Sequence, residues 1–176
     1  MINNKIKINK IVTSILFIIV IGVLIGILST NKLDKINITI SNNNEKCFKI
    51  FLNSFSLNFW YLFLIWFIGM IPLGFIFDYL IIFVKSFTIG ITLGICLKSS
   101  AIFGIKEFIT FAILELIIIV PSLIFLGNKS ISFSLNGKNN LSINRNDYFN
   151  VLIKITIITI IYAILSCLKM TFMEVK

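Results

Sequence analysis

Residues 11–29 read IVTSILFIIVIGVLIGILS, an apolar run without a single charged side chain. The hydrocarbon core of a bilayer is about 30 Å thick, and at 1.5 Å rise per residue about 20 helical residues cross it. Four further runs of comparable length follow, at about 57–77, 80–98, 108–127 and 150–169. The chain is therefore expected to be all-α: a polytopic integral membrane protein with five transmembrane helices and a single membrane domain. The first run is longer than the 7–15 apolar residues of a signal peptide, and its ILSTNK exit offers no small-residue cleavage site. It is read as an uncleaved span.

Composition agrees and excludes several classes. Of 176 residues, 58% are hydrophobic and only 13% charged, against about a quarter charged in soluble domains. The net charge of +9 is spread along the chain rather than gathered in one block. That favours anionic lipid headgroups over a nucleic-acid groove. The chain contains no histidine, which removes Ser-His-Asp and Cys-His catalysis and histidine metal sites together. Cys47, Cys96 and Cys167 fit no metal or redox spacing and read as small apolar fillers. Heavy use of Ile, Asn, Lys and Phe reads as the imprint of an AT-rich bacterial genome, so Asn37-Ile38-Thr39 needs no glycosylation. No catalytic, cofactor-binding or metal-ligating set emerges, and no cofactor is expected.

Little chain remains between the spans. Extramembrane connections are expected at 30–56 and 128–149. Both are shorter than the roughly 40 residues below which a domain needs staples, so neither is a separate catalytic domain. Asp78 and Tyr79 mark the turn between the second and third spans. The 130–143 stretch around Asn136-Gly137 fits either a small hairpin or a helical continuation of span four through Leu135. Lys5, Lys7 and Lys10 precede the first span, which places the N-terminus in the cytoplasm. Trp60 and Tyr61 are then assigned to the outer aromatic belt.

Inside the spans, Glu115 is the residue that demands an account. A charge at mid-bilayer costs roughly 2.5–3.5 kcal/mol on insertion scales. From the expected span limits, Lys85 lies about 8 Å below the inner surface and Glu115 about 20 Å from it. The gap of about 12 Å is more than the two side chains bridge in regular helices. Thr92, Tyr162 and Trp66 match the depth of Glu115 better, and it is expected to bond to one or more of them. Burial without a charged partner also implies a mostly protonated Glu115. Lys85 is expected to snorkel to the headgroups. Glu115 is read as polar glue between helices rather than as an ion relay.

Small residues mark close approach. Gly22 and Gly26, and Gly90 and Gly94, form two Gly-x-x-x-Gly pairs, which serve internal packing or dimerisation. Gly69 and Pro72 suggest a kink or helix contact in span two, and Pro121 a bend in span four after Glu115.

These residues carry a resemblance. Trp66-x2-Gly69-x4-Gly74, then Phe83-x-Lys85, then Gly90-x3-Gly94 resemble the central region of the stage II sporulation protein M family. Pro121 and Ser132-Phe133-Ser134-Leu135 are similar to the same family, and Ile113-Leu114-Glu115-Leu116 to the Glu-Leu element of its wider membership. The likeness covers about residues 52–135. The chain departs from the sporulation members in having Leu114-Glu115-Leu116 in place of Pro-Gln-Asn, and Lys85-Ser86 in place of Lys-Gly.

The resemblance implies a non-catalytic, multi-pass protein of the bacterial cell membrane. Its partners would be the lipid bilayer and membrane or extracytoplasmic proteins, with no nucleic acid. In sporulating bacteria such proteins position the cell-wall hydrolases, stage II sporulation proteins D and P, during engulfment. Shorter relatives accompany ABC exporters in circular-bacteriocin clusters, with roles in export, maturation or immunity. A scaffold for cell-wall-remodelling partners is the first expectation, and the exporter accessory is the alternative.

Overall fold

The computed structural model describes residues 2–30, 47–98, 114–136 and 145–174. Five long helices result: α1 (Ile2–Thr30), α2 (Cys47–Ile68), α3 (Gly74–Lys98), α4 (Val120–Asn136) and α5 (Arg145–Glu174). A π-helical turn, Glu115–Ile119, leads directly into α4. Among the described residues only 69–73 lie outside a helix, and there is no strand. Five segments among the described residues are long and apolar enough to cross a membrane: Lys10–Thr30, Phe51–Ile68, Gly74–Ile95, Glu115–Leu135 and Asn146–Cys167. The all-α, five-span architecture expected from the apolar runs is the one found.

Element limits differ from expectation in an informative way. The second span ends at Ile68 rather than near residue 77, and the third begins at Gly74 rather than 80. The turn is therefore 69–73, not Asp78-Tyr79. Pro72 sits in it, and Leu73 adopts φ 74°, a left-handed conformation that non-glycine residues seldom take. Gly74 then starts α3 with its α-carbon against the Ile68 carbonyl, where a side chain has no room. Proline and glycine punctuated the chain, while the apolar stretch continuing through Phe75, Ile76 and Phe77 disguised the break. Residues 47–56, assigned to an extramembrane connection, are the start of α2. Trp60 thus lies midway along its helix, not at the interface, and is 58% exposed. Ser132–Leu135 are helical, so the continuation of span four displaces the hairpin. Residues 31–46, including Asn37-Ile38-Thr39, the 108–113 part of the fourth span, and Gly137 lie outside the described residues.

Packing pairs α1 with α3 and α2 with α5, while α4 touches all four. The α1–α3 contact explains both glycine pairs. A β-carbon on Gly26 would meet the Gly90 backbone, one on Gly90 the Val23 backbone, one on Gly22 the Ser86 side chain, and one on Gly94 the Thr30 side chain. The two small-residue seams face each other within one chain. Lipid tails are as apolar as the side chains, so such backbone contact replaces the hydrophobic drive of soluble bundles. Ser14 Oγ and the Tyr79 hydroxyl, 2.8 Å apart, tie the same pair of helices. At the other end Lys98 Nζ donates to the Thr30 carbonyl, an acceptor left over at the α1 C-terminus.

The core lies where α4 meets the rest. Ile15, Leu62, Ile65, Ile82, Ile119, Leu123, Leu126 and Ile131 are buried within it. Outward faces are apolar as well: Phe17 on α1, Phe77 on α3, Ile117 before α4 and Ile153 on α5 are all exposed. Those faces fit acyl chains, not water.

Candidate functional site

With apolar residues both inside and outside the bundle, the buried polar groups are the only chemically distinctive points. Two clusters form, each centred on a carboxyl group.

The first joins α2, α3, the π turn and α5. Lys85 Nζ donates to Glu115 Oε1 at 3.2 Å, with side-chain exposures of 7% and 16%. The same ammonium sits 5.4 Å from the Tyr61 ring centroid, within the range of cation–π attraction. Tyr162 has Glu115 and Asn58 as near neighbours. Asn58 is buried; its Nδ2 donates to the Ser54 carbonyl at 3.0 Å, and its Oδ1 has no hydrogen-bond partner among the described residues.

This geometry overturns the separation of Lys85 from Glu115. Because α3 starts at Gly74, Lys85 is eleven residues into the helix. It is therefore about 16 Å deep rather than about 8 Å, close to the level reckoned for Glu115. Lys85 does not snorkel, and its ammonium is held in the bundle interior. Of the partners expected for Glu115, only Tyr162 comes near it. Thr92 Oγ1 donates instead to the Thr88 carbonyl at 3.1 Å, and Trp66 Nε1 to the Tyr148 carbonyl at 3.1 Å. Lys85 is the cationic neighbour that the expected depths had kept apart from Glu115.

The backbone around Glu115 is adapted to Pro121. The Val120 N–H bonds to the Glu115 carbonyl, a five-residue step in place of the usual four. Proline has no N–H to continue the α-helical ladder and crowds the preceding turn. A π turn just before it absorbs the mismatch. The departure expected at Pro121 is thus found over 115–119, on its N-terminal side.

The second cluster was not read from the sequence. Asp78 is fully buried. Its Oδ2 lies 2.5 Å from Ser130 Oγ on α4, and that hydroxyl lies 2.8 Å from the Ile65 carbonyl on α2. Asp78 Oδ1 has no hydrogen-bond partner among the described residues. Alongside, the Tyr148 hydroxyl donates to the Trp66 carbonyl at 2.7 Å, reciprocating the indole bond above. Tyr148 also stacks on Phe133 at 4.3 Å and on Trp66 at 5.8 Å between centroids. Gly69 makes the cluster fit, since a β-carbon there would collide with both Ser130 Oγ and the Tyr148 hydroxyl. Gly69 is therefore a helix contact, not a kink. One signal was present in the sequence: Asp78 precedes Lys85 by seven residues, two helical turns on one face. Reading Asp78 as a turn residue concealed it.

Cys167 is disulfide-bonded and so is not an inert filler. Among the described residues no group of His, Cys, Asp and Glu could hold a metal ion.

Fold and site together define a multi-span helical membrane protein that uses its buried charges to join helices. The profile of the family described as stage II sporulation protein M matches residues 14–173. The chain belongs to that family, and the match extends well beyond the 52–135 region on both sides. No curated protein and no solved structure matches the chain significantly.

Proposed function

We propose that the protein is a non-catalytic scaffold of the bacterial cell membrane that assembles or localises cell-wall-remodelling partners during sporulation engulfment. The observation that carries this reading is the family match over residues 14–173. Membership suggests a sporulation-related membrane protein, and the bundle supports a structural role. Its ion pair, its Asp78–Ser130 contact and its glycine seams each join two or more helices. In this reading the N-terminus is cytoplasmic, and the stretch between α1 and α2 meets extracytoplasmic partners. The departure at Leu114-Glu115-Leu116 favours a second reading, an accessory subunit of a peptide export, maturation or immunity system.

Deletion of the gene in its host separates the two. Stalled engulfment with dispersed cell-wall hydrolases, restored by the wild-type gene, is the expected result. Normal engulfment with loss of peptide secretion or self-protection would replace the first reading by the second. Hydrolysis of cell-wall substrate by the purified protein alone would end the non-catalytic reading.

A further inference from the structure

We propose that Asp78 is a proton-binding site, a neutral carboxylic acid that clasps α3 to α4 and α2 as a hydrogen-bond donor. A serine hydroxyl carries one proton. Ser130 Oγ faces two acceptor oxygens, the Ile65 carbonyl at 2.8 Å and Asp78 Oδ2 at 2.5 Å. It cannot donate fully to both. A proton on Asp78 Oδ2 completes the set: the acid donates to Ser130, and Ser130 donates to Ile65. The Ile65 carbonyl has room for this bond beside the one from the Gly69 N–H at 3.1 Å.

The surroundings point the same way. Asp78 and Ser130 are both 0% exposed. An ionised carboxylate in such a place needs a cation or several donors. Among the described residues Asp78 makes no ion pair, and its Oδ1 has no hydrogen-bond partner. Of the two lysines on its own helix, Lys85 is engaged by Glu115 and Lys98 donates to the Thr30 carbonyl at the far end. The titratable neighbour across the cluster is Tyr148 on α5, whose hydroxyl proton is directed at the Trp66 carbonyl, not at Asp78. α2 contributes the Ile65 carbonyl, with the Trp66 carbonyl taken up by Tyr148; the turn after α2 contributes Gly69, and α4 contributes Ser130. A proton on Oδ2 removes the charge that the described residues around Asp78 leave uncompensated. This site is independent of the role proposed above.

The test uses the full chain in phospholipid vesicles at neutral pH. Infrared spectra of the wild type should show a protonated-carboxyl C=O band that vanishes in Asp78→Asn and persists in Glu115→Gln. A wild type without such a band, or a band that survives in Asp78→Asn, overturns the proposal. Should Asp78→Asn fail to fold, Ser130→Ala decides. It removes the acceptor of the acid proton and should shift the C=O band. A change confined to carboxylate bands there would mean that Ser130 donates to an ionised Asp78, and the proposal falls.

Discussion

Glu115 and Asp78 are both acids inside one bundle, yet the fold accommodates them differently. Glu115 meets an ammonium, while Asp78 meets a hydroxyl and has no ion pair among the described residues. The Lys85–Glu115 pair spans from α3 to the π turn beside Pro121, where the backbone is already irregular. The Asp78 cluster sits one turn into α3, packed by Gly69 and by the stacked rings of Trp66, Tyr148 and Phe133. One acid is compensated by charge and the other by hydrogen bonding. The same acid-to-amide change should therefore have unequal consequences at the two places.

The largest effect is expected at the ion pair. Glu115→Gln or Lys85→Met leaves one buried charge without its counterpart and should cost about 3–5 kcal/mol of stability. The double variant Lys85→Met with Glu115→Leu should recover most of that loss, since a buried pair replaced by apolar side chains is often neutral or better. Denaturant unfolding of the detergent-solubilised protein measures both. Single variants that unfold like the wild type would mean that the pair contributes nothing.

Gly69→Ala comes next. Its β-carbon meets Ser130 Oγ and the Tyr148 hydroxyl, and overpacking of this kind costs about 1–3 kcal/mol. The same unfolding assay reads it. A smaller loss would show that the Asp78 cluster yields more easily than its packing suggests.

Asp78→Asn sharpens the contrast with Glu115→Gln directly. The amide can still donate to Ser130, so stability should stay within roughly 1 kcal/mol of the wild type, about one neutral hydrogen bond. A loss as large as that of Glu115→Gln would mean that the two acids are compensated alike. The smallest effect belongs to Trp66→Phe, which removes the indole donor to the Tyr148 carbonyl. Polar contacts within membrane bundles average about 0.6 kcal/mol. That variant loses one of the two tryptophans, so its unfolding is compared with the wild type by thermal melts followed by circular dichroism.

How much of this could be read beforehand differs from residue to residue. Glu115 stood out because it interrupts an apolar run, and its need for a partner followed from desolvation alone. The partner did not follow. Lys85 was misplaced in depth because the apolar stretch through Phe75–Phe77 hid the start of α3 at Gly74. Six residues of error in a helix start move a side chain about 9 Å along the axis, which is enough to separate a pair that in fact touches. The same error turned Asp78 from a buried group into a turn residue. The family likeness was legible at the glycines and at Lys85, while the role of each glycine depended on its neighbour across the interface.

The order of residues alone determined that the described chain forms five helices long and apolar enough to cross a bilayer, because apolar length and the demand for internal backbone pairing leave few other solutions. It also determined which residues could not sit quietly in lipid. Only the tertiary structure decided which helix each one faces: α1 seated on α3 glycine to glycine, Lys85 against Glu115, and Asp78 against Ser130. Those choices depend on helix starts, rotation and depth. Apolar runs constrain all three weakly, because a lipid-facing side chain and a core-facing one are chemically the same.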